Sequence, residues 1–208
     1  MPIVERLHSK ERLSGSVGDM PRPPRPQVPG ASHHVTARGV DGCTIYRDDR
    51  DRLAFLERLD DVVVRFGWRL LAYCLMTNHY HLVVRTPWPT LSRGVQRLNG
   101  MHAQRFNQRH RRTGHLFGAR FASPRLEADA HLLLACRYVV RNPVRAGLCV
   151  APAGWRWSSF RATVGQSRAP TFLATADLLP HFGRTEEAAR TAYRAFVEEQ
   201  LGAERLAA

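Results

Sequence analysis

The chain has 208 residues, of which 44% are hydrophobic and 24% are charged, enough for one domain with a buried core. Its 31 lysines and arginines outnumber 18 aspartates and glutamates, so the formal net charge is +13, and every basic residue except Lys10 is an arginine. A surplus of this size favours a polyanionic partner such as nucleic acid. No apolar run approaches the ~20 residues of a membrane span, so we expect no membrane partner.

The first 30 residues are predicted to form a flexible basic arm. Residues 20–30 contain five prolines, which favour extended backbone over packed structure. Within them, Arg22 and Arg25 are candidate contacts to a polyanion. Met20 is the expected natural start of the chain.

A strand, a helix and a hairpin are predicted next. Residues 33–39 are short, β-branched and closed by glycine, which is typical of a strand. Acidic residues 48–51 precede apolar residues at helical spacing up to Gly67, which predicts a helix with an acidic N-cap. The apolar residues 68–76 and 79–85 predict two strands joined at Thr77-Asn78.

The second half of the chain is predicted to be mostly helical. A long arginine-rich helix begins at Thr90 or Ser92 and runs to about Arg109. A basic loop, residues 109–115, and a fourth strand around residues 117–126 follow. The next helix covers residues 127–141 and is expected to end at Asn142-Pro143, because proline cannot continue it. A last amphipathic helix is predicted over residues 186–201.

The element order β-α-β-β-α-β-α predicts an α+β fold. It corresponds to a ferredoxin-like or RRM-like split β-α-β sandwich, with an antiparallel sheet and helices on one face. We expect three parts: the arm (1–30), a central α+β domain (31–160) and a C-terminal helical appendage (161–208). Four scattered cysteines without a C-x-x-C pair indicate reduced thiols in a cytoplasmic protein.

His79-Tyr80-His81 is a candidate metal site. Side chains alternate along a strand, so both imidazoles leave one face while Tyr80 points to the other. Two imidazoles can converge on one divalent ion. On spacing alone, a pair of partly exposed strand histidines is the simpler interpretation, but a hydrophobic strand that places two polar imidazoles at inward positions favours a site. Tyr138 and Asn142 lie one helical turn apart and could approach the same ion, or they could be a packing aromatic and a helix cap.

Three stretches resemble the single-tyrosine HUH transposases, and most closely the tyrosine transposases associated with repetitive extragenic palindromes (REP). They are residues 70–85 with Asn78-His79-Tyr80-His81, residues 106–121, and residues 137–148 with Tyr138 and Asn142. The similarity extends over about residues 20–160. His33 and Gly118 depart from the family pattern, which has an aromatic residue and a glutamine at these two positions.

The resemblance implies a site and a reaction. Tyr138 is the implied nucleophile, His79, His81 and Asn142 are the implied ligands of Mg²⁺ or Mn²⁺, and the implied partner is single-stranded or hairpin DNA. A phenol is a poor nucleophile at neutral pH, and a divalent ion would polarise the scissile phosphate. The product would be a 5′-phosphotyrosine with a free 3′-OH. We expect a cytoplasmic, nucleoid-associated monomer or homodimer. Candidate DNA contacts are Arg22, Arg25, Arg38, Arg111, Arg112, Arg120, Arg137, Arg141 and Arg145.

Two other functions remain open from the sequence. One is a non-catalytic single-stranded nucleic-acid binder, in which Tyr73 or Tyr80 would stack bases on an RRM-like sheet. The other is a metallohydrolase that activates water, for which Tyr138 would be dispensable.

Overall fold

The computed structural model describes residues 28–206. Arg22, Arg25 and Met20 therefore lie outside the described residues, and the predictions made for them stay predictions. Among the described helices, none is both long and apolar enough to cross a membrane. All four cysteines are free thiols.

Residues 28–206 form four strands and six α-helices. The strands are β1 (Ser32–Arg38), β2 (Arg69–Leu75), β3 (His79–Arg85) and β4 (Arg125–Leu126). The helices are α1 (Asp49–Phe66), α2 (Leu91–His110), α3 (Asp129–Arg145), α4 (Phe160–Thr163), α5 (Thr175–Leu178) and α6 (Glu186–Leu206). Short 3-10 turns occupy Val40–Gly42, Pro152–Gly154 and Leu179–His181.

The strands form one antiparallel sheet in the order β2-β3-β1-β4. This order confirms the predicted α+β class with a ferredoxin-like sheet. Strand pairing places two residues beside His81 on β3. Thr36 on β1 lies opposite it on one side, and Cys74 on β2 lies opposite it on the other. The predicted fourth strand is mostly irregular: only two residues form β4, and single bridges join Phe117 to Gly39 and Ala122 to Thr36.

Helices cover both faces of the sheet, which corrects the expectation that they lie on one face. One apolar cluster packs α1 and α2 against Val35, Tyr80 and Leu82. A second cluster packs α3 and α6 against Cys74 and Val83, which point the other way. Apart from the histidines and Thr36, the central strands carry mainly apolar side chains on both sides, so each face requires a helical cover. The C-terminal helix α6 packs in the second cluster together with α3.

Local signals explain where most helices begin and end. The carboxylate of Asp48 accepts the Asp51 N–H at 3.1 Å, and Gly67 ends α1 in the left-handed conformation at φ 63°, as both residue types favour. Thr90 precedes α2 but does not cap it with its side chain. Its hydroxyl instead accepts the indole N–H of Trp68 at 3.0 Å.

Helix α3 continues past Pro143 to Arg145, contrary to the prediction that it ends at Asn142. Proline removes only one helical hydrogen bond, and the next turn is kept because the Ala146 N–H donates to the Asn142 carbonyl at 2.9 Å. The helix closes where Gly147 adopts φ 68° and the Leu148 N–H reaches the Pro143 carbonyl at 2.8 Å. The extra turn keeps Asn142 inside regular helix.

Close packing at Gly94 gives a test of the α2 interface. A Cβ atom at this position would lie 2.1 Å from Cζ2 of the buried Trp68. We expect Gly94→Ala to lower the free energy of unfolding by about 2–3 kcal/mol through overpacking. Gly100→Ala, on the same helix with nothing within 4 Å of the added carbon, should raise it by roughly 0.5–1 kcal/mol. Urea unfolding measures the free energy of unfolding of both variants. Equal changes in the two would contradict the close contact between Gly94 and Trp68.

Candidate functional site

The site lies on the sheet face that α3 covers. His79 and His81 project from β3 towards this face, with ring centroids 4.9 Å apart, as the alternation predicted. Tyr80 points to the opposite core, is fully buried, and donates its hydroxyl to Asn99 Oδ1 at 2.7 Å. Tyr73 is also buried, at 6% exposure. Neither tyrosine is available to stack bases, which argues against the RRM-like binder.

Among the described residues, only the Nδ1 atom of the His79 ring has a hydrogen-bond partner. Its Nδ1 lies 2.7 Å from Asn78 Oδ1, and an amide oxygen can only accept, so Nδ1 carries the proton and donates it. The lone pair is therefore on Nε2. This is the tautomer required for Nε2 to bind a cation.

His81 is held by two residues of β1. Its Nδ1 lies 3.0 Å from His34 Nε2 and 3.1 Å from Thr36 Oγ1. Its Nε2 is buried and has no hydrogen-bond partner among the described residues. A buried polar atom left unsatisfied is costly, so this nitrogen is suited to a ligand that the protein itself does not supply.

His34 is a third imidazole that the sequence analysis missed. Its ring stacks on His81 at 5.2 Å and meets the edge of Tyr138 at 5.7 Å. The only signal in the sequence is its position two residues before Thr36, which places both on one face of β1. That signal becomes informative only once the register shows that Thr36 faces His81.

All three imidazoles are neutral at neutral pH. Burial lowers the pKa of His81 well below its ordinary value, and the neighbouring His34 and His79 lower it further. Burial lowers the pKa of His34 to about 4. The pKa of His79 is lowered by burial and by the charge of Arg38. Neutral imidazole is the form that ligates metals.

Tyr138 reaches the histidines from α3. Its ring is half-buried and lies 5.9 Å from the ring of His81 in an edge-to-face contact. The guanidinium carbon of Arg145 is 5.1 Å from the centre of the same ring, which places a positive charge beside the phenol. The structure therefore brings Tyr138 to His81 of the predicted histidine pair.

Asn142 has a local partner. Its side-chain Nδ2 donates to the Tyr138 carbonyl at 2.9 Å, one turn back in α3. This bond leaves the amide oxygen as the atom that could ligate a cation. The role of Asn142 as a metal ligand stays a prediction.

Two ring nitrogens have the chemistry to bind a divalent ion: the buried Nε2 of His81, and the Nε2 of His79, which carries no proton. In residues 28–206, no three His, Cys, Asp or Glu side chains form a group that could hold a metal. An ion at the histidine pair would thus need further ligands of another kind, and Mg²⁺ and Mn²⁺ prefer oxygen. An amide oxygen or a substrate phosphate meets that requirement.

The candidate DNA contacts on α3 lie in three environments. Arg145 is exposed beside Tyr138. Arg137 turns to α6, where its guanidinium lies 4.5 Å from the Phe196 ring and donates to the Phe196 carbonyl at 3.4 Å. Arg141 is 3% exposed. Burial argues against a phosphate contact by Arg141. The contacts with Phe196 argue against one by Arg137, because they already hold its guanidinium.

The remaining described candidates are more accessible. Arg38, Arg111 and Arg120 are exposed, and Arg112 is half-buried. The basic loop that contains Arg111 and Arg112 is anchored at its start, because Arg109 pairs with Asp48 and Asp51 at 2.5 Å each. Asp51 is buried and also accepts from His110 Nε2 at 2.9 Å. This cluster fixes the loop to the beginning of α1.

Comparisons with known proteins give the family and the fold of the chain. The family described as "Transposase IS200 like" matches residues 34–142, more than half of the chain. A solved REP-associated tyrosine transposase, bound to a REP hairpin, matches with a TM-score of 0.56 and 16% sequence identity, over 73% of this chain and 89% of that chain. Identity this low supports the shared fold alone. No curated protein sequence matches the chain.

Proposed function

The chain belongs to the IS200-like transposase family, and from this premise we propose that it is a metal-dependent single-strand DNA endonuclease and strand transferase. Tyr138 is the nucleophile of the proposed reaction. The observation that carries the proposal is the contact of the Tyr138 ring with His34 and His81. It sets a phenol beside two neutral imidazoles and a buried nitrogen that has no partner among the described residues.

The proposed substrate is palindromic DNA that forms a hairpin. The similar solved transposase was bound to a REP hairpin, and the net charge of +13 favours DNA. Arg38 and Arg145 lie next to His79 and Tyr138, so they are the arginines best placed to hold the phosphates at the cut. Arg111, Arg112 and Arg120 are proposed to hold more distant phosphates.

The proposed reaction exchanges one phosphodiester for another. The Tyr138 Oη attacks the scissile phosphorus and loses its proton as the new bond forms. The bond between phosphorus and the 3′-oxygen breaks, which leaves a 5′-phosphotyrosine and a strand with a free 3′-OH. The 3′-OH of a second strand then attacks the phosphotyrosine and releases Tyr138. Each step breaks one phosphoester and makes one, so no ATP is needed.

His79 and His81 are proposed to hold Mg²⁺ or Mn²⁺ through Nε2, with the Asn142 amide oxygen as third ligand. When bound, the ion would polarise the scissile phosphate and offset its charge. Arg145 adds a second positive charge beside the phenol.

A gel assay tests the proposal. Purified protein is incubated with Mn²⁺ or Mg²⁺ and end-labelled single-stranded DNA that contains an imperfect hairpin, and the products are separated under denaturing conditions. We expect a labelled band of protein covalently joined to DNA, which disappears when protease is added. Cleavage with no such band would indicate a water-activating hydrolase, and binding with neither product would indicate a non-catalytic binder. Either result overturns the proposal.

His34 is proposed to position His81. With the ion on Nε2, the His81 proton lies on Nδ1, and His34 Nε2 and Thr36 Oγ1 are the acceptors within reach. We expect His34→Ala to weaken Mn²⁺ binding about 10–100-fold, as is usual for the loss of such a partner. Titration calorimetry on the DNA-free protein measures this directly.

Conservative variants separate positioning from packing. The amide oxygen of His34→Gln can still accept from His81 Nδ1, so this variant should recover most of the Mn²⁺ affinity. Thr36→Val, which removes the other acceptor at similar volume, should cost less than His34→Ala because the His34 contact remains. Equal Mn²⁺ binding by wild type and His34→Ala would show that His34 has no positioning role.

A further inference from the structure

A second basic surface lies on the far side of the sheet from Tyr138. An open groove between the end of α1 and the outer face of α2 is lined by Arg65, Phe66, Arg93, Arg97, Met101 and Gln104, among others. Helices α1 and α2 pack on the sheet face opposite to the one that α3 covers. We call Arg65, Arg93, Arg97 and the nearby Trp88 the back surface.

The arginines of the back surface have no acidic partners. Within residues 28–206, the side chains of Arg65, Arg93 and Arg97 have no hydrogen-bond or ion-pair partner. Helix α2 contains no aspartate or glutamate over its 20 residues. By contrast, Arg58 on α1 pairs with Asp61, and Arg109 at the end of α2 pairs with Asp48 and Asp51. Positive charge that the fold leaves unpaired in one place favours an anionic ligand there.

Trp88 adds an exposed aromatic ring near the end of α1 and the beginning of α2. Its side chain is 66% exposed although it is large and apolar. The preceding Pro87 lies 3.8 Å from the position of a Cβ on Gly67, the residue that follows Phe66 of the groove. This contact brings the Trp88 loop to the end of α1 where Arg65 lies.

The backbone on both sides of Trp88 is conformationally restricted. Prolines flank it on both sides, and its carbonyl accepts the Thr90 N–H at 2.7 Å and the Thr90 hydroxyl at 3.3 Å. A tryptophan side chain has few rotatable bonds, so it loses little conformational entropy when a ligand stacks on it. The exposed indole face of Trp88 is available for a base to stack on.

We propose that the back surface binds a single-stranded arm of the DNA, separate from the segment cut at Tyr138. A nucleic acid strand supplies both phosphates for the arginines and base faces for Trp88. Single-stranded DNA is the occupant, because the bases of a duplex are already stacked on each other and cannot cover an indole. The inference rests on the proposed DNA substrate, but it is independent of whether Tyr138 cleaves that DNA.

The experiment measures DNA binding without cleavage. Fluorescence anisotropy is recorded for Tyr138→Phe protein with one hairpin that carries a short or a long single-stranded arm. Adding Arg93→Gln and Arg97→Gln should weaken binding of the long-armed hairpin about tenfold and leave the short-armed one unchanged. Loss of two phosphate contacts should also flatten the slope of log affinity against log salt by about 1.4, at roughly 0.7 per contact for single strands.

Matched variants test the location and the stacking. Arg184→Gln with Arg194→Gln removes the same charge from exposed positions outside the back surface and should leave the salt slope unchanged. Trp88→Ala should weaken long-arm binding about five- to tenfold, and Trp88→Phe should retain most of it. Three results would each overturn the proposal. The two arginine pairs could lower the DNA affinity equally, the affinity could fall equally for both arm lengths, or it could stay unchanged when the long arm is made double-stranded.

Failure of the proposed function gives a different result. If the wild-type protein forms no covalent adduct, the cleavage proposal fails, while the arm-dependent binding differences remain. With Tyr138 restored, the Arg93→Gln/Arg97→Gln protein should still form the adduct on the short-armed hairpin. The two proposals are therefore separable in one set of proteins.

Discussion

Replacing Tyr138 by phenylalanine will abolish the covalent adduct and lower strand cleavage by at least about 1,000-fold, because the variant lacks the only atom proposed to attack the phosphate. The phenylalanine ring can keep the edge contacts with His34 and His81, which lie 5.7 and 5.9 Å from the tyrosine ring. We therefore expect DNA affinity, Mn²⁺ affinity and the melting temperature to stay close to those of the wild type. The readouts are the denaturing gel and anisotropy.

Tyr73→Phe is the matched control for this variant. Tyr73 is a buried tyrosine of β2 that packs against Phe172 in the α1/α2 core, so loss of its hydroxyl should leave the adduct unaffected. An adduct that survives Tyr138→Phe would assign the attack to another group, and the proposed mechanism would then be wrong. Cleavage at the wild-type rate without any adduct would point to activated water.

Replacing His81 by alanine will lower Mn²⁺ affinity at least about a hundredfold and reduce cleavage with it. This change removes the buried Nε2 and also the anchor of the His34 and Thr36 hydrogen bonds. Loss of a direct ligand should exceed the cost of losing its hydrogen-bond partner, so the effect should be larger than that of His34→Ala. Titration calorimetry with Mn²⁺ on the DNA-free protein provides the measurement.

His131→Ala is the matched histidine control, since His131 is exposed on α3. Its Mn²⁺ affinity and adduct formation should equal those of the wild type. Because His81 is buried beneath Tyr138, the melting temperature of His81→Ala must show that the variant is folded. A folded His81→Ala protein that binds Mn²⁺ as tightly as the wild type would remove His81 from the proposed site.

Elements built from local interactions could be predicted from the sequence. Asp48 caps α1 and Gly67 ends it through contacts with residues at most five positions away. The shared face of His79 and His81 follows from strand alternation alone. The resemblance to a family also identified Tyr138, which the structure brings to the histidines.

Predictions that depended on long-range packing were less accurate. The central strands carry apolar side chains on both faces of the sheet. Helices α1 and α2 bury those on one face, and α3 and α6 bury those on the other. The end of α3 was set by hydrogen bonds around Gly147, so Pro143 did not stop the helix. Arg137, Arg141 and Arg145 look equivalent in the sequence, but α6 engages the first, burial encloses the second, and only the third lies exposed beside Tyr138.

The strong positive charge, the order of the main helices and strands, and the pair of histidines on one side of β3 follow from composition and local pattern. It takes the packed fold to show that His34 joins this pair, and that Trp88 lies on the opposite side of the molecule with arginines that have no side-chain partner within residues 28–206. Charge, capping and alternation act between near neighbours in the chain. Strand register and helix packing bring together residues tens of positions apart, and His34 meets His81 across 47 positions.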